Sequence, residues 1–259
     1  ATRFQTSLLY NASVTFLFAN DPLLPQRFEE ALTDETGAVF FEPLTNPTLD
    51  FVDFSMLDDI RRKQKNPPLM ICDHTFLLGL IFPLHWGIDV VVCSGTKYLV
   101  NESAWPLGYC TVSRSTLEQY PGFWEAANQW ATRHGGTLGC FEAWATKFAV
   151  SDVRRRMRKH GHNAMKVATF LASHPRVERV VYPGLPSYAY HDIIEKYLGP
   201  IKGQYCCGGM IAFYLKEKDI SYTEEFLYRL TNETYIPFCA SLGGPDDMIE
   251  SPLLLSHTD

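Results

Sequence analysis

Hydrophobic and polar positions follow two kinds of pattern along the chain. In the first half, short apolar runs at Val14–Ala19, Ala38–Glu42, Leu69–Cys72, Asp89–Cys93 and Leu107–Val112 predict strands. Between them, Pro25–Thr33 predicts a short helix with proline near its start. Leu57–Gln64 predicts another, acidic at its beginning and basic at its end as the helix dipole favours. From Cys140 to Ser173 the spacing becomes helical. Phe141, Trp144, Phe148 and Val153, then Met157, Ala164, Val167 and Leu171, predict one or two long helices. Beyond Pro175 the alternation resumes, with Val177–Val181 and Gly208–Leu215 as strands and Tyr190–Tyr197 and Thr223–Thr231 as helices.

Short apolar strands separated by helices predict an α/β fold with a mostly parallel sheet and flanking helices. The pattern divides near His174. Residues 1–139 read as a large domain, 140–173 as connecting helices and 174–259 as a smaller C-terminal α/β domain. In such sheets ligands bind beyond the carboxyl ends of the strands. Three polar, turn-prone segments follow three of the strands: Pro43–Thr48, Asp73–Thr75 and Ser94–Tyr98.

Those segments hold the candidate chemistry. Lys97 follows an apolar strand, where a lysine can condense with an aldehyde or can simply be solvated. Asp73 ends its own strand; it either caps the next turn or pairs with a cation such as the protonated ring nitrogen of pyridoxal phosphate. Ser94 and Thr96 offer hydroxyls to a phosphate, or to the turn itself. Asn46 is a turn residue whose amide could reach a ring or a substrate carboxylate.

Composition narrows the classes. With 29 acidic against 23 Lys and Arg residues, a formal charge of −6, the chain is a poor partner for a phosphate backbone, so no nucleic-acid role is expected. Its longest apolar stretch, residues 76–93, is interrupted by Pro83, His85, Gly87 and Asp89, and no membrane role is expected. The opening Ala1-Thr2-Arg3-Phe4 does not read as a secretory leader. The seven cysteines form no Cys-x-x-Cys pair and stand mostly in apolar surroundings, which predicts a reducing, cytoplasmic setting; Cys206 reads as a loop or strand-edge thiol. The sequons at Asn11, Asn101 and Asn232 read as chance triplets. His160 and His162 lack further ligands at useful spacing, so no metal site is expected. The basic run Arg154–Lys159 reads as a solvated face or subunit contact, and the Phe141, Trp144, Phe148 stripe as core packing.

The motifs also stand in a telling order: Glu42-x-x-x-Asn46-Pro47-Thr48, Asp73-x-Thr75, Ser94-Gly95-Thr96-Lys97-Tyr98, Gly135-Gly136-Thr137-Leu138, Arg156-Met157, Tyr182-Pro183-Gly184-Leu185, Gly208-Gly209-Met210 and Ser241-Leu242-Gly243-Gly244. Over nearly the whole chain this series resembles the Cys/Met-metabolism, or trans-sulfuration, family of pyridoxal-phosphate enzymes. That family includes cystathionine γ-synthases and γ-lyases, methionine γ-lyases and O-acylhomoserine sulfhydrylases. The resemblance implies fold type I and pyridoxal 5′-phosphate as cofactor. Lys97 would carry the internal aldimine and shuttle protons, Asp73 would pair with the ring nitrogen, Ser94 and Thr96 would hold the phosphate, and Thr75 would position the ring. Asn46 would touch the ring oxygen or, with Ser241 and Leu242, the substrate carboxylate. The implied reaction is β- or γ-elimination, or γ-replacement, on cystathionine, methionine or an O-acylhomoserine. Family members are usually homodimers or homotetramers with shared active sites. The alternative is a catalytically inactive relative serving as an assembly or regulatory subunit.

The sequence departs from the family's pattern in places. Val100-Asn101-Glu102-Ser103 stands where a Gly-Gly-His-Ser-like run is usual, and Phe148–Val153 replaces an Arg-Gly-x-x-Thr-Leu-like segment. The chain begins at Ala1 and stops at Ser256-His257-Thr258-Asp259, before the family's carboxylate-binding arginine, and so reads as a partial chain.

Overall fold

In the computed structural model, which describes residues 12–100, 105–198 and 206–255, the main sheet carries four strands in chain order. These are β1 (Ala38–Phe41), β2 (Leu69–Asp73), β3 (Val90–Ser94) and β4 (Gly108–Val112). β1, β2 and β3 run parallel, and β4 returns antiparallel to β3. The mostly parallel sheet is as expected. The two ends of the link from Ser94 to β4 are clipped together where Thr96 N donates to Leu107 O at 3.0 Å, which suits an antiparallel return. Met70 and Cys72 on β2 are fully buried, as a central strand covered on both sides requires.

The sheet is flanked by α1 (Leu24–Ala31), α2 (Phe54–Arg61), α3 (Arg114–Gln119) and α4 (Phe123–Arg133). The sequence pattern missed α3 and α4; α4 buries none of its side chains, so it carries no core period to read. Val14–Ala19, expected as a strand, is irregular, and Phe16 and Phe18 lie exposed. An apolar run becomes a strand only against a partner edge, and none pairs with it among the described residues. α2 starts ahead of the expected Leu57 because the Asp53 carboxylate caps it, accepting Met56 N at 3.2 Å. At its other end, buried Arg61 donates to Asp58 and Asp89 at 2.7 Å each and to the carbonyls of Pro68 and Gly87. This network fastens the amino ends of β2 and β3, the end of the sheet away from the predicted site.

Cys140–Ser173 is one 34-residue helix, α5. Its buried residues, Met157, Gly161, Ala164 and Ala168, form a single narrow stripe in the C-terminal part. The stripe Phe141, Trp144, Phe148 is therefore not core: the three rings are 66%, 60% and 59% exposed and contact one another in tilted and edge-on arrangements along the first half of the helix. Gly161 is needed for close approach, since a Cβ there would lie 2.6 Å from Cys206 Sγ. Cys206 stands in irregular chain, as expected, and is buried, with its Sγ donating to Met157 O at 2.8 Å. Cys206–Gly208 pack on α5 in this way, so the strand expected from Gly208 begins only at Ala212.

The C-terminal segment adds β5 (Val177–Val181) antiparallel to β6 (Ala212–Leu215), with α6 (His191–Leu198), α7 (Ile220–Glu233) and α8 (Pro252–Leu255). Tyr197 of α6 packs against Phe51, Phe54 and Trp86 with centroids 5.4, 4.2 and 4.7 Å away. Residues 182–198 thus share one apolar core with the main sheet. Asn11, Asn101 and the segments 101–103 and 256–259 noted in the sequence lie outside the described residues. No helix among the described residues is long and apolar enough to cross a membrane.

Candidate active site

The carboxyl ends of β1, β2 and β3 open on one cleft of about 160 Å³. Glu42, Leu44 and Asn46 enter it from the loop after β1, Asp73, Thr75 and Phe76 from the end of β2, Lys97 from the loop after β3, and Leu242 from the C-terminal segment. Strand ends placed Asn46, Asp73, Thr75 and Lys97 at one rim, and the family resemblance implied Leu242; the fold brings all five together.

Asp73 is held by its neighbour. Its Oδ1 accepts Thr75 N at 3.0 Å and the Thr75 hydroxyl at 2.6 Å, while Thr75 Oγ1 accepts Ser94 N at 2.9 Å. The turn-cap reading of Asp73 is therefore true of one oxygen. Among the described residues no hydrogen bond engages Oδ2. Thr75 ties the ends of β2 and β3 together and fixes the carboxylate in the cleft wall.

Lys97 is placed from three sides. Its Nζ donates to Ser241 Oγ at 3.2 Å, which brings the sixth predicted residue to the site. Gly243, at φ +81°, lies against its backbone; a Cβ there would stand 2.8 Å from both Lys97 C and Tyr98 N, a position open only to glycine. Behind the loop, Arg156 of α5 donates to Tyr98 O at 3.1 Å and Leu99 O at 2.8 Å, and to Ala149 O at 3.0 Å. The expectation of a wholly solvated basic face fails at this residue, because α5 turns it onto the carbonyls that follow Lys97. Burial pulls its guanidinium below the usual arginine range, and Asp152 acts the other way. Replacing Arg156 by Met is expected to cost about 2–3 kcal/mol through carbonyls left without donors. Arg156→Lys should restore only part of this, since an ammonium lacks the fork. Thermal denaturation of both variants checks it; a Met variant as stable as the parent would contradict it.

Ser94 and Thr96 separate. Among the described residues the Ser94 hydroxyl makes no hydrogen bond and is free for an anion. The Thr96 hydroxyl is held by the main chain of Leu107, accepting from its N at 2.8 Å and donating to its O at 3.3 Å. Neither lines the cleft as the other predicted residues do.

Sequence reasoning missed Glu42 and Arg156 as site supports. Glu42 Oε2 accepts Asn46 N at 2.8 Å and fixes the loop that carries the Asn46 amide; the four-residue spacing in Glu42-x-x-x-Asn46 was the available signal. For Arg156 the signal was the Arg156-Met157 pair in the motif series, set within a run of like charges.

Two neighbours are chemically silent. Burial pushes the Cys93 thiol up to about 11, which keeps it protonated and a poor nucleophile. His74 is buried, with its Nε2 unpartnered, and burial pulls its imidazole down to about 4. The unfolded imidazole gains its proton near pH 6.5 and the folded one only near 4, so the unfolded state binds more protons between these values. Stability is full above about pH 6.5 and falls by roughly 3 kcal/mol as pH drops to about 4. Denaturant titrations at about pH 7 and 4.5 should show this loss diminished in His74→Phe; an equal loss in both proteins would contradict it.

The donor set fits pyridoxal phosphate: a primary amine and a carboxylate with a free oxygen in one cleft, an amide beside them, and a free hydroxyl at the end of the strand before the amine. A mostly parallel sheet that presents this set at adjacent strand ends is consistent with the fold type I class of pyridoxal-phosphate proteins. The family described as Cys/Met metabolism PLP-dependent enzyme matches residues 1–259, and the chain belongs to that family, whose cofactor is pyridoxal phosphate. It is similar to cystathionine gamma-lyase of Rattus norvegicus, 32% identical over 230 residues, 88% of this chain and 54% of that protein. It is similar also to cystathionine beta-lyase of Lactococcus lactis subsp. cremoris (31% over 228 residues, 88% and 55%) and of Coxiella burnetii (33% over 249 residues, 95% and 59%). The chain spans about half the length of these relatives.

Proposed function

We propose that the full-length protein is a pyridoxal-phosphate lyase that breaks the carbon–sulfur bond of cystathionine or a related sulfur amino acid. The observation that carries this is the meeting of Lys97 and Asp73 in the walls of one cleft. Relatives named as cystathionine lyases support the substrate class, and they give no support to the inactive-relative alternative.

Bound pyridoxal phosphate supplies an aldehyde that condenses with amines and a ring that accepts an electron pair from the α-carbon. The residues do the rest. Lys97 would hold the cofactor aldehyde, and its Nζ would take the α-proton of the substrate; the Ser241 hydroxyl, which accepts from Nζ at 3.2 Å, would orient that amine. Asp73, whose Oδ1 accepts from Thr75, would keep a proton on the ring nitrogen of the cofactor. Asn46 and the Ser241-Leu242 segment orient the substrate carboxylate. Ser94 is the hydroxyl free to hold the phosphate; Thr96 serves by clipping the loop shut.

The division into residues 1–139, 140–173 and 174–259, a cytoplasmic location and assembly into homodimers or homotetramers belong to the same reading. The exposed rings of Phe141, Trp144 and Phe148 support contact with a second copy. The test is turnover by the purified full-length protein supplied with cofactor: thiol release from cystathionine and from methionine, and acetate release from O-acetylhomoserine. Release of thiol from cystathionine is expected; a cofactor-loaded protein that turns over none of the three would sink the proposal.

A further inference from the structure

A second cleft, of about 320 Å³, lies between the 3-10 turn at Pro83–Trp86, α5 and α6 and shares no lining residue with the first. One side is aromatic: Phe82 and Trp86 from the turn and Tyr197 from α6, with Trp86 and Tyr197 4.7 Å apart and Phe82 5.8 Å from the His85 ring. The other side is cationic. Arg154 and Arg158 stand one helical turn apart on α5 and so share a face.

Their charges have no counterpart. In the same run Arg155 is paired with Asp152 at 2.6 Å and Arg156 is spent on loop carbonyls. Among the described residues neither Arg154 nor Arg158 meets a carboxylate; Arg154 has only the Phe82 ring, 5.2 Å from its Cζ. In a chain with an acidic surplus of six charges, two unpaired guanidiniums on one cleft wall are not a by-product of excess base. Lys196, beside the aromatic wall, is already engaged by Asp53 and Ser55.

We propose that this cleft binds a small aromatic phosphate monoester, its ring against Phe82, Trp86 and Tyr197 and its phosphate bridging Arg154 and Arg158. Two adjacent guanidinium forks match the three oxygens and double charge of a phosphate better than one carboxylate. The aromatic side chains, tilted to one another, and the exposed guanidiniums suit the faces and edge of a planar ring. The volume is at the small end for ligand sites, which limits the body to one or two rings.

Calorimetric titration of the full-length holoenzyme, with its cofactor already seated, tests this using phenyl phosphate, inorganic phosphate and phenol. Phenyl phosphate should bind one site per chain at least about tenfold more tightly than either fragment, without altering the cofactor spectrum. R154A/R158A should lose that binding by at least about tenfold, and W86A should reduce the preference for phenyl phosphate over inorganic phosphate. Circular dichroism and thermal midpoints show that the variants remain folded. No saturable binding to the full chain, equal affinity for phenyl phosphate and inorganic phosphate, or unchanged binding by folded R154A/R158A would each overturn the proposal.

Discussion

Full-length protein carrying Lys97→Ala loses carbon–sulfur bond cleavage by at least about 10³-fold while keeping its fold. Two losses combine at one atom. In the proposed reaction the amine that condenses with the cofactor aldehyde and the base that takes the α-proton would both be Lys97 Nζ. The fold survives because the amine's own contact is one 3.2 Å bond to Ser241; the loop is held by Arg156, Gly243 and the Leu107 clip, none of which uses the side chain. Lys97→Arg should be equally inactive, since a guanidinium stays protonated and cannot serve as the base. Comparing turnover with thermal midpoints separates the two properties. A Lys97→Ala protein with a tenth of parental activity would contradict the assignment.

Asp73→Asn follows with a rate loss of about 10²-fold, from removing the charged partner of a proton at a cost of about 3 kcal/mol. The substitution nearly preserves shape, and the oxygen of the introduced amide can still accept from Thr75 N and Oγ1, so stability should change little. Asp73→Ala removes the acceptor as well. It should lose both activity and about 1–3 kcal/mol of stability through the unsatisfied Thr75 donors. The pair of variants thus divides the carboxylate's two duties: Oδ1 for the turn, Oδ2 for the ring nitrogen. Equal rate constants for Asp73→Asn and the parent would refute the second duty.

Much of the site could be read before the fold because it depends on strand ends. Apolar runs terminating in Asp73 and before Ser94 and Lys97 fix those residues at one edge of any parallel sheet, whatever the register. What failed were inferences that needed a partner surface. Val14–Ala19 has a strand's residues and no neighbouring edge among the described residues. Phe141, Trp144 and Phe148 have helical spacing, which locates a face but not what covers it. Helical spacing alone does not separate Arg156 from Arg155, yet one turns to loop carbonyls and the other to Asp152 beside solvent. Thr96 and Ser94 looked equivalent as phosphate donors until the Leu107 main chain claimed one of them. Long-range pairing decides each of these cases, and local pattern carries none of it.

Borohydride reduction of the full-length protein in the presence of pyridoxal phosphate, followed by peptide mapping, asks whether Lys97 is the reactive amine. A single phosphopyridoxyl label on the peptide containing Lys97, formed in the parent and absent from Lys97→Ala, is the result the cleft predicts. A label at another lysine, or none in folded protein saturated with cofactor, would contradict it.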